Sequence, residues 1–151
     1  MNTAHFHLMF NHLPIMGLGF AILLNLLAVI GKSPELKKLS CWFYILIGLL
    51  SILPIITGDG AQEILVTYPG ISKYAIENHE TWAYIFFYGL ILNGVLAIAA
   101  LWFSRKKPDL MKKLRVAMLI IALVLTIFAY QTGVTAGKLR HPEIEQGNSK
   151  K

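Results

Sequence analysis

Four stretches of the chain, 13–31, 39–58, 81–104 and 116–137, contain no Asp, Glu, Lys or Arg. Each is about 19 to 24 residues long, and an α-helix needs about 20 apolar residues to cross the hydrocarbon core of a bilayer. A helix in a soluble core carries a polar stripe every three or four residues, and these runs carry none. The chain has 151 residues, of which 56% are hydrophobic, so four such runs leave space for one domain and little else. The expected fold class is therefore all-α, an integral membrane four-helix bundle. Short connections make successive helices antiparallel, which predicts up-down-up-down topology with spans one and three on a diagonal.

The formal net charge of +6 is concentrated rather than spread. The first connection holds Lys32, Lys37 and Lys38, and the third holds Arg105, Lys106, Lys107, Lys112, Lys113 and Arg115. Between spans two and three, Lys73 stands against Asp59, Glu63, Glu77 and Glu80. Basic connections stay in the cytoplasm. Both termini and the middle connection are then expected on the periplasmic side of a cell inner membrane, in a multi-pass protein. Basic charge used for orientation argues against nucleic acid as a partner and leaves the lipid bilayer as the first one. The first charged residue is Lys32, so the N-terminus is expected to be a retained anchor. Residues 1–141 form the single predicted domain, with 142–151 a flexible outer-side tail. The one cysteine, Cys41, lies in an apolar run and is expected to be a small buried side chain. No Cys-x-x-Cys-His occurs, which excludes the usual c-type haem attachment.

The two halves resemble each other. Asn11-His12 opens span one and Asn78-His79 opens span three. Lys37-Lys38 precedes span two and Lys112-Lys113 precedes span four. Thr57-Gly58 ends span two and Thr132-Gly133 ends span four. A parallel two-helix repeat of this kind implies a pseudo-two-fold axis along the membrane normal.

All five histidines fall at the outer ends of the spans: His5, His7 and His12 before span one, His79 before span three, His141 after span four. Asn is a favoured N-cap, which would put His12 and His79 at first helical positions. The positive end of a helix dipole disfavours imidazolium there, and neutral imidazole is the form that ligates metal or haem iron. Below His12 on the same helix face come Met16, Gly19 and Leu23. Below His79 come Ala83, Phe86, Leu90 and Asn93. Gly19 and Ala83 are small enough for a flat macrocycle to approach, and Phe86 is placed to pack on it. The pattern points to haem b held by His12 and His79, with His7 and His141 as second choices. Lys138 or Arg140 would pair with the propionates. Two axial histidines make a six-coordinate electron carrier. A small His/carboxylate site with Asp59 or Glu63 holding copper, zinc or iron is the alternative chemistry.

Elsewhere, Gly48, Gly89 and Gly94 are expected to permit close helix packing. Pro54 is expected to kink span two. Asn25 and Asn93 are expected to bond across helices. Trp42, Tyr44, Trp82, Tyr84 and Trp102 read as interfacial belt residues. The connection 61–77 is expected to form short surface helices around Tyr68-Pro69-Gly70.

His7-x4-His12-Leu13-Pro14-Ile15 resembles the opening His-Pro-x3-His-Phe-Pro-Ile signature of a family of small four-helix bacterial membrane proteins of unknown function. The likeness continues in Leu53-Pro54-Ile55-Ile56-Thr57-Gly58-Asp59, in His79, and in the Gly-rich turn Thr132–Gly137 followed by His141. Here Leu8 stands where the family has proline, and His5 is additional. Members occur fused to, or beside, cytochrome c domains. The resemblance thus implies outer-side electron transfer, with a cytochrome c and a larger membrane redox complex as partners.

Together these features predict a b-type-cytochrome-like electron-transfer subunit of a respiratory or related complex, rather than a stand-alone enzyme. The rival readings are a cofactor-free accessory subunit of a larger membrane complex and a metal-handling membrane protein. No span carries the midplane charge that a transporter usually needs.

Overall fold

A computed structural model describes residues 3–31, 33–104 and 106–141. It contains six helices: α1 (Thr3–Phe10), α2 (His12–Ile30), α3 (Pro34–Leu50), α4 (Ile52–Leu65), α5 (Lys73–Phe103) and α6 (Pro108–Arg140). They make four rods, because α1 runs into α2 and α3 into α4 with a single residue between. All four rods are long and apolar enough to cross a membrane. The segment 142–151, read above as a tail, lies outside the described residues.

The rods begin where side-chain caps and prolines allow. Ser33 Oγ accepts from the Leu36 N–H at 3.3 Å, with Pro34 in the first helical turn. Ser72 Oγ accepts from the Ala75 N–H at 3.1 Å. Each cap satisfies one of the amides that a helix start leaves unpaired. The expected asparagine caps are corrected. Asn11 has helical φ and ψ and makes no side-chain cap bond, and Asn78 lies inside α5, where its Oδ1 accepts from Trp82 Nε1 at 3.2 Å. Serine two turns upstream captures the free amides first, so α5 starts eight residues before the apolar run does.

The second rod is also longer than its apolar run. Thr57-Gly58 does not end it; α4 continues to Leu65. The connection to α5 is thus 66–72, not 61–77, and it turns at Gly70, whose φ of 92° only glycine adopts without strain. Polar residues shorten an apolar run without breaking a helix, so apolar runs understate helix length.

Both interruptions sit three residues ahead of a proline: Asn11 before Pro14, Ser51 before Pro54. A proline has no N–H for the carbonyl one turn back and its ring crowds that carbonyl. The packing partners change across these breaks. Beyond them α2 packs on α3 and α6, α3 packs on α5, and α5 packs on α6, which closes a four-membered ring with α2 and α5 on a diagonal. On the other side α1 packs on α4. Among the described residues α1 does not reach α5 or α6, and α4 only grazes α5. The first two rods therefore stay together but leave the last two, and the bundle opens at that end.

The closed part is held by apolar packing around Leu18, Tyr44, Ile47, Leu90 and Met118, each at most 1% exposed. Small residues set the spacing. A Cβ on Gly48 would lie 3.3 Å from the Leu90 carbonyl oxygen, one on Gly17 would lie 2.7 Å from Ile47 Cγ2, and one on Gly89 would overlap Leu125. Cys41 is buried, as expected. Tyr44 is not a belt residue: it is 0% exposed, whereas Trp42 and Trp102 are 61% and 74% exposed. Asn25 bonds across the bundle, donating from Nδ2 to the Arg115 carbonyl at 3.0 Å. Asn93 does not, and neither atom of its buried amide has a partner among the described residues. Arg115 was counted with the basic connection, yet it is buried between the helices.

Candidate functional site

The open end encloses a cavity of about 760 Å³. It lies between the two proline-interrupted rods, the N-terminal half of α5 and the C-terminal half of α6, with walls from Pro14, Leu18, Pro54, Ile55, Phe86 and Ala129. Apolar walls with a few converging polar groups are the usual form of a small-molecule site. A smaller cavity of about 180 Å³ adjoins it and adds Asp59, Gln62 and Glu80. His7, His79 and Arg140 line both.

His7 comes from α1 and His79 from α5, rods that face each other across the opening. Both rings are half-buried, and they line the same two cavities. His7 Nδ1 lies 3.0 Å from the Pro54 carbonyl and 3.3 Å from Thr57 Oγ1, both on α4. His79 Nδ1 lies 3.0 Å from Thr135 Oγ1 on α6. Thus each ring meets a threonine hydroxyl on the neighbouring rod through Nδ1, and His7 meets a carbonyl as well. The first-half counterpart of His79 is His7.

His12 is placed differently. It is exposed, and Met16, Gly19 and Leu23 below it are exposed too, so that face looks out of the bundle. Its Nδ1 lies 3.3 Å from the Leu8 carbonyl of its own rod. His12 and Gly19 touch the large cavity at its rim, while His79, Ala83 and Phe86 look inward. The structure therefore brings His7 and His79 together and leaves His12 at the edge. His141 ends α6 just past Arg140, and His5 lies exposed on α1. Among the described residues there is no group of three or more His, Cys, Asp or Glu able to hold a bare metal ion.

Three glycines border the large cavity, Gly19, Gly133 and Gly137, and a Cβ on any of them would meet nothing within 4 Å. Of these, only Gly19 is singled out by the sequence as small ground beside a histidine. Gly133 and Gly137 stand one helical turn apart in the run Thr132–Gly137, which is the available signal for them; Thr135, between them, has no comparable one. Thr57 was visible as half of a repeated Thr-Gly pair, but not as a partner of His7.

Compared with protein-family models, curated proteins and solved structures, the chain matches none.

Proposed function

We propose that this chain is a membrane electron-transfer subunit that holds haem b in the large cavity, with His7 and His79 as the axial pair. The observation that carries the reading is that pair: two half-buried imidazoles from opposite rods, each tethered through Nδ1, lining one apolar cavity of about 760 Å³. Two protein donors are too few for a structural zinc site, which takes four. Haem brings four nitrogens of its own and asks the protein for one or two. The residues fit it in other ways. Phe86 and the open ground over Gly133 and Gly137 suit a flat ring, and Arg140 suits carboxylates at its edge. Bound haem would supply a one-electron couple at iron. The chain's own work is to fix the two imidazoles and exclude water with apolar walls; His7 and His79 would be the residues that hold the group.

The setting is a bilayer. We read the four rods as spanning it up-down-up-down, with the cavity end outside. Trp82 and Trp102 are ~30 Å apart along α5 at 1.5 Å per residue, the thickness of a hydrocarbon core. Lys37, Lys38, Lys112 and Lys113 cluster at the end remote from the cavity, where the positive-inside rule puts the cytoplasm. A site at the outer surface suits a soluble outer-side donor such as a cytochrome c, the partner that the family resemblance implies.

The test is a reduced-minus-oxidised spectrum of the detergent-purified chain with a pyridine haemochrome assay. His7→Ala and His79→Ala are each expected to abolish a b-type band that His12→Ala leaves in place. A featureless spectrum from folded, haem-supplied protein refutes the reading. Loss of the band in His12→Ala but not in His7→Ala refutes the assignment of the pair.

A further inference from the structure

We propose that Thr57 and Thr135 are positioning residues that lock His7 and His79 in one tautomer, with the proton on Nδ1 and the lone pair on Nε2. A threonine hydroxyl has one hydrogen to donate. Thr57 donates it to the Leu53 carbonyl at 2.8 Å, and Thr135 donates it to the Gln131 carbonyl at 2.8 Å, in both cases one turn back along the helix. What each Oγ1 has left to offer a ring is a lone pair. At His7 a second group lies beside Nδ1, the Pro54 carbonyl at 3.0 Å, which can only accept. His7 Nδ1 therefore faces two acceptors, and His79 Nδ1 faces the Thr135 oxygen, whose hydrogen is already donated. The opposite tautomer would press a nitrogen lone pair against oxygen lone pairs. A neutral imidazole carries one N–H, so placing it on Nδ1 leaves Nε2 as the ligating nitrogen.

The device is built twice and not copied. Ring and hydroxyl are 50 residues apart in the first half and 56 in the second. The register has drifted, yet a threonine oxygen meets the same ring atom in both halves. Thr57 and Thr135 do not themselves reach for the iron; they act through the rings. Acceptors on Nδ1–H raise the basicity of Nε2 as a ligand, which favours ferric over ferrous iron. That last consequence rests on the haem reading above; the tautomer does not.

The experiment uses the full chain in detergent, with histidine ring nitrogens labelled with nitrogen-15 and read by NMR above the pH of histidine titration. His7→Gln and His79→Gln assign the signals. In the wild type both rings are expected as the Nδ1–H form. Thr57→Val and Thr135→Val each remove one acceptor, worth about 1 kcal/mol. Each is expected to raise the Nε2–H population of its own ring about five-fold, while Thr57→Ser and Thr135→Ser restore the wild-type pattern. In haem-loaded protein, the valine variants are expected to keep the b-type band and shift the ferric/ferrous ratio about five-fold toward ferrous. A wild type with Nε2–H at either ring, or valine variants with unchanged tautomers, overturns the proposal even if haem binds. A colourless wild type that shows both Nδ1–H rings sinks the haem reading and leaves this inference standing.

Discussion

Gly133 and Gly137 sit inside α6, where glycine costs about 0.8–1.0 kcal/mol relative to alanine. Nothing in the packing asks for that cost, because a Cβ at either position would meet no atom within 4 Å. Both are exposed and border the large cavity at its mouth. If the glycines are there to keep ground open for a flat guest, then filling the ground should separate stability from binding. Gly133→Ala is expected to stabilise the empty chain by about 0.5–1 kcal/mol. The double variant with Gly137→Ala should add a similar amount; the two lie one turn apart, so strict additivity is not expected. Gly133→Phe also restores helix propensity, but it sets a ring at the cavity mouth and is expected to weaken or abolish the b-type band. The assay is unfolding of the detergent-solubilised chain, followed with and without haem, beside the haem titration of each variant. If Gly133→Ala destabilises the empty chain, the ground is not open and the argument fails. If Gly133→Phe binds haem as the wild type does, the cavity is not the site.

Three further outcomes are expected. Asn93→Leu should stabilise the fold by about 1–3 kcal/mol, since a buried amide without partners is replaced by a side chain of similar size, whereas Asn25→Leu should destabilise it by about 1 kcal/mol through the lost bond to Arg115; equal effects in unfolding experiments would contradict this. Gly48→Ala should cost about 1–3 kcal/mol, because its Cβ would meet the Leu90 backbone oxygen, which cannot rotate away; a neutral result would mean that α3 and α5 separate easily. Cysteine at Thr67, in a Cys41→Ser background, should react with an impermeant thiol reagent added to intact cells, and labelling only after lysis would reverse the orientation.

The number of long helices was legible because a charge-free run of some twenty residues has few other fates. Their ends were not, because the first and last turns carry charged and polar residues that hydropathy treats as loop. Ser72 and Ser33 did hold the information for two starts, as serines followed closely by helical sequence. The gathering of histidines at one end was legible from their places at the ends of the apolar runs. The pairing of His7 with His79 was not. His12 has the better sequence credentials, next to Asn11 and Pro14, but it lies on the outward face. His7 turns inward only because the rod is interrupted at Asn11 and α1 follows α4 instead of α6. A proline's effect on direction appears in the chain one turn upstream, in whatever residues happen to stand there.

The two interruptions have a consequence for assembly. They lie in neighbouring rods, at the same end, and both belong to the first half of the chain. The second half has none: α5 and α6 run unbroken and pack along their length. A cofactor as broad as a porphyrin cannot slip into a finished helix bundle without prising something apart. Here the part to be moved is small, since α1 and α4 cling to each other and scarcely touch α5 and α6. If haem is the guest, the helical hairpin of the second half would form one wall already in place, and α1 with α4 would be the part displaced to admit it. Insertion would then leave the core around Leu18, Leu90 and Met118 packed throughout.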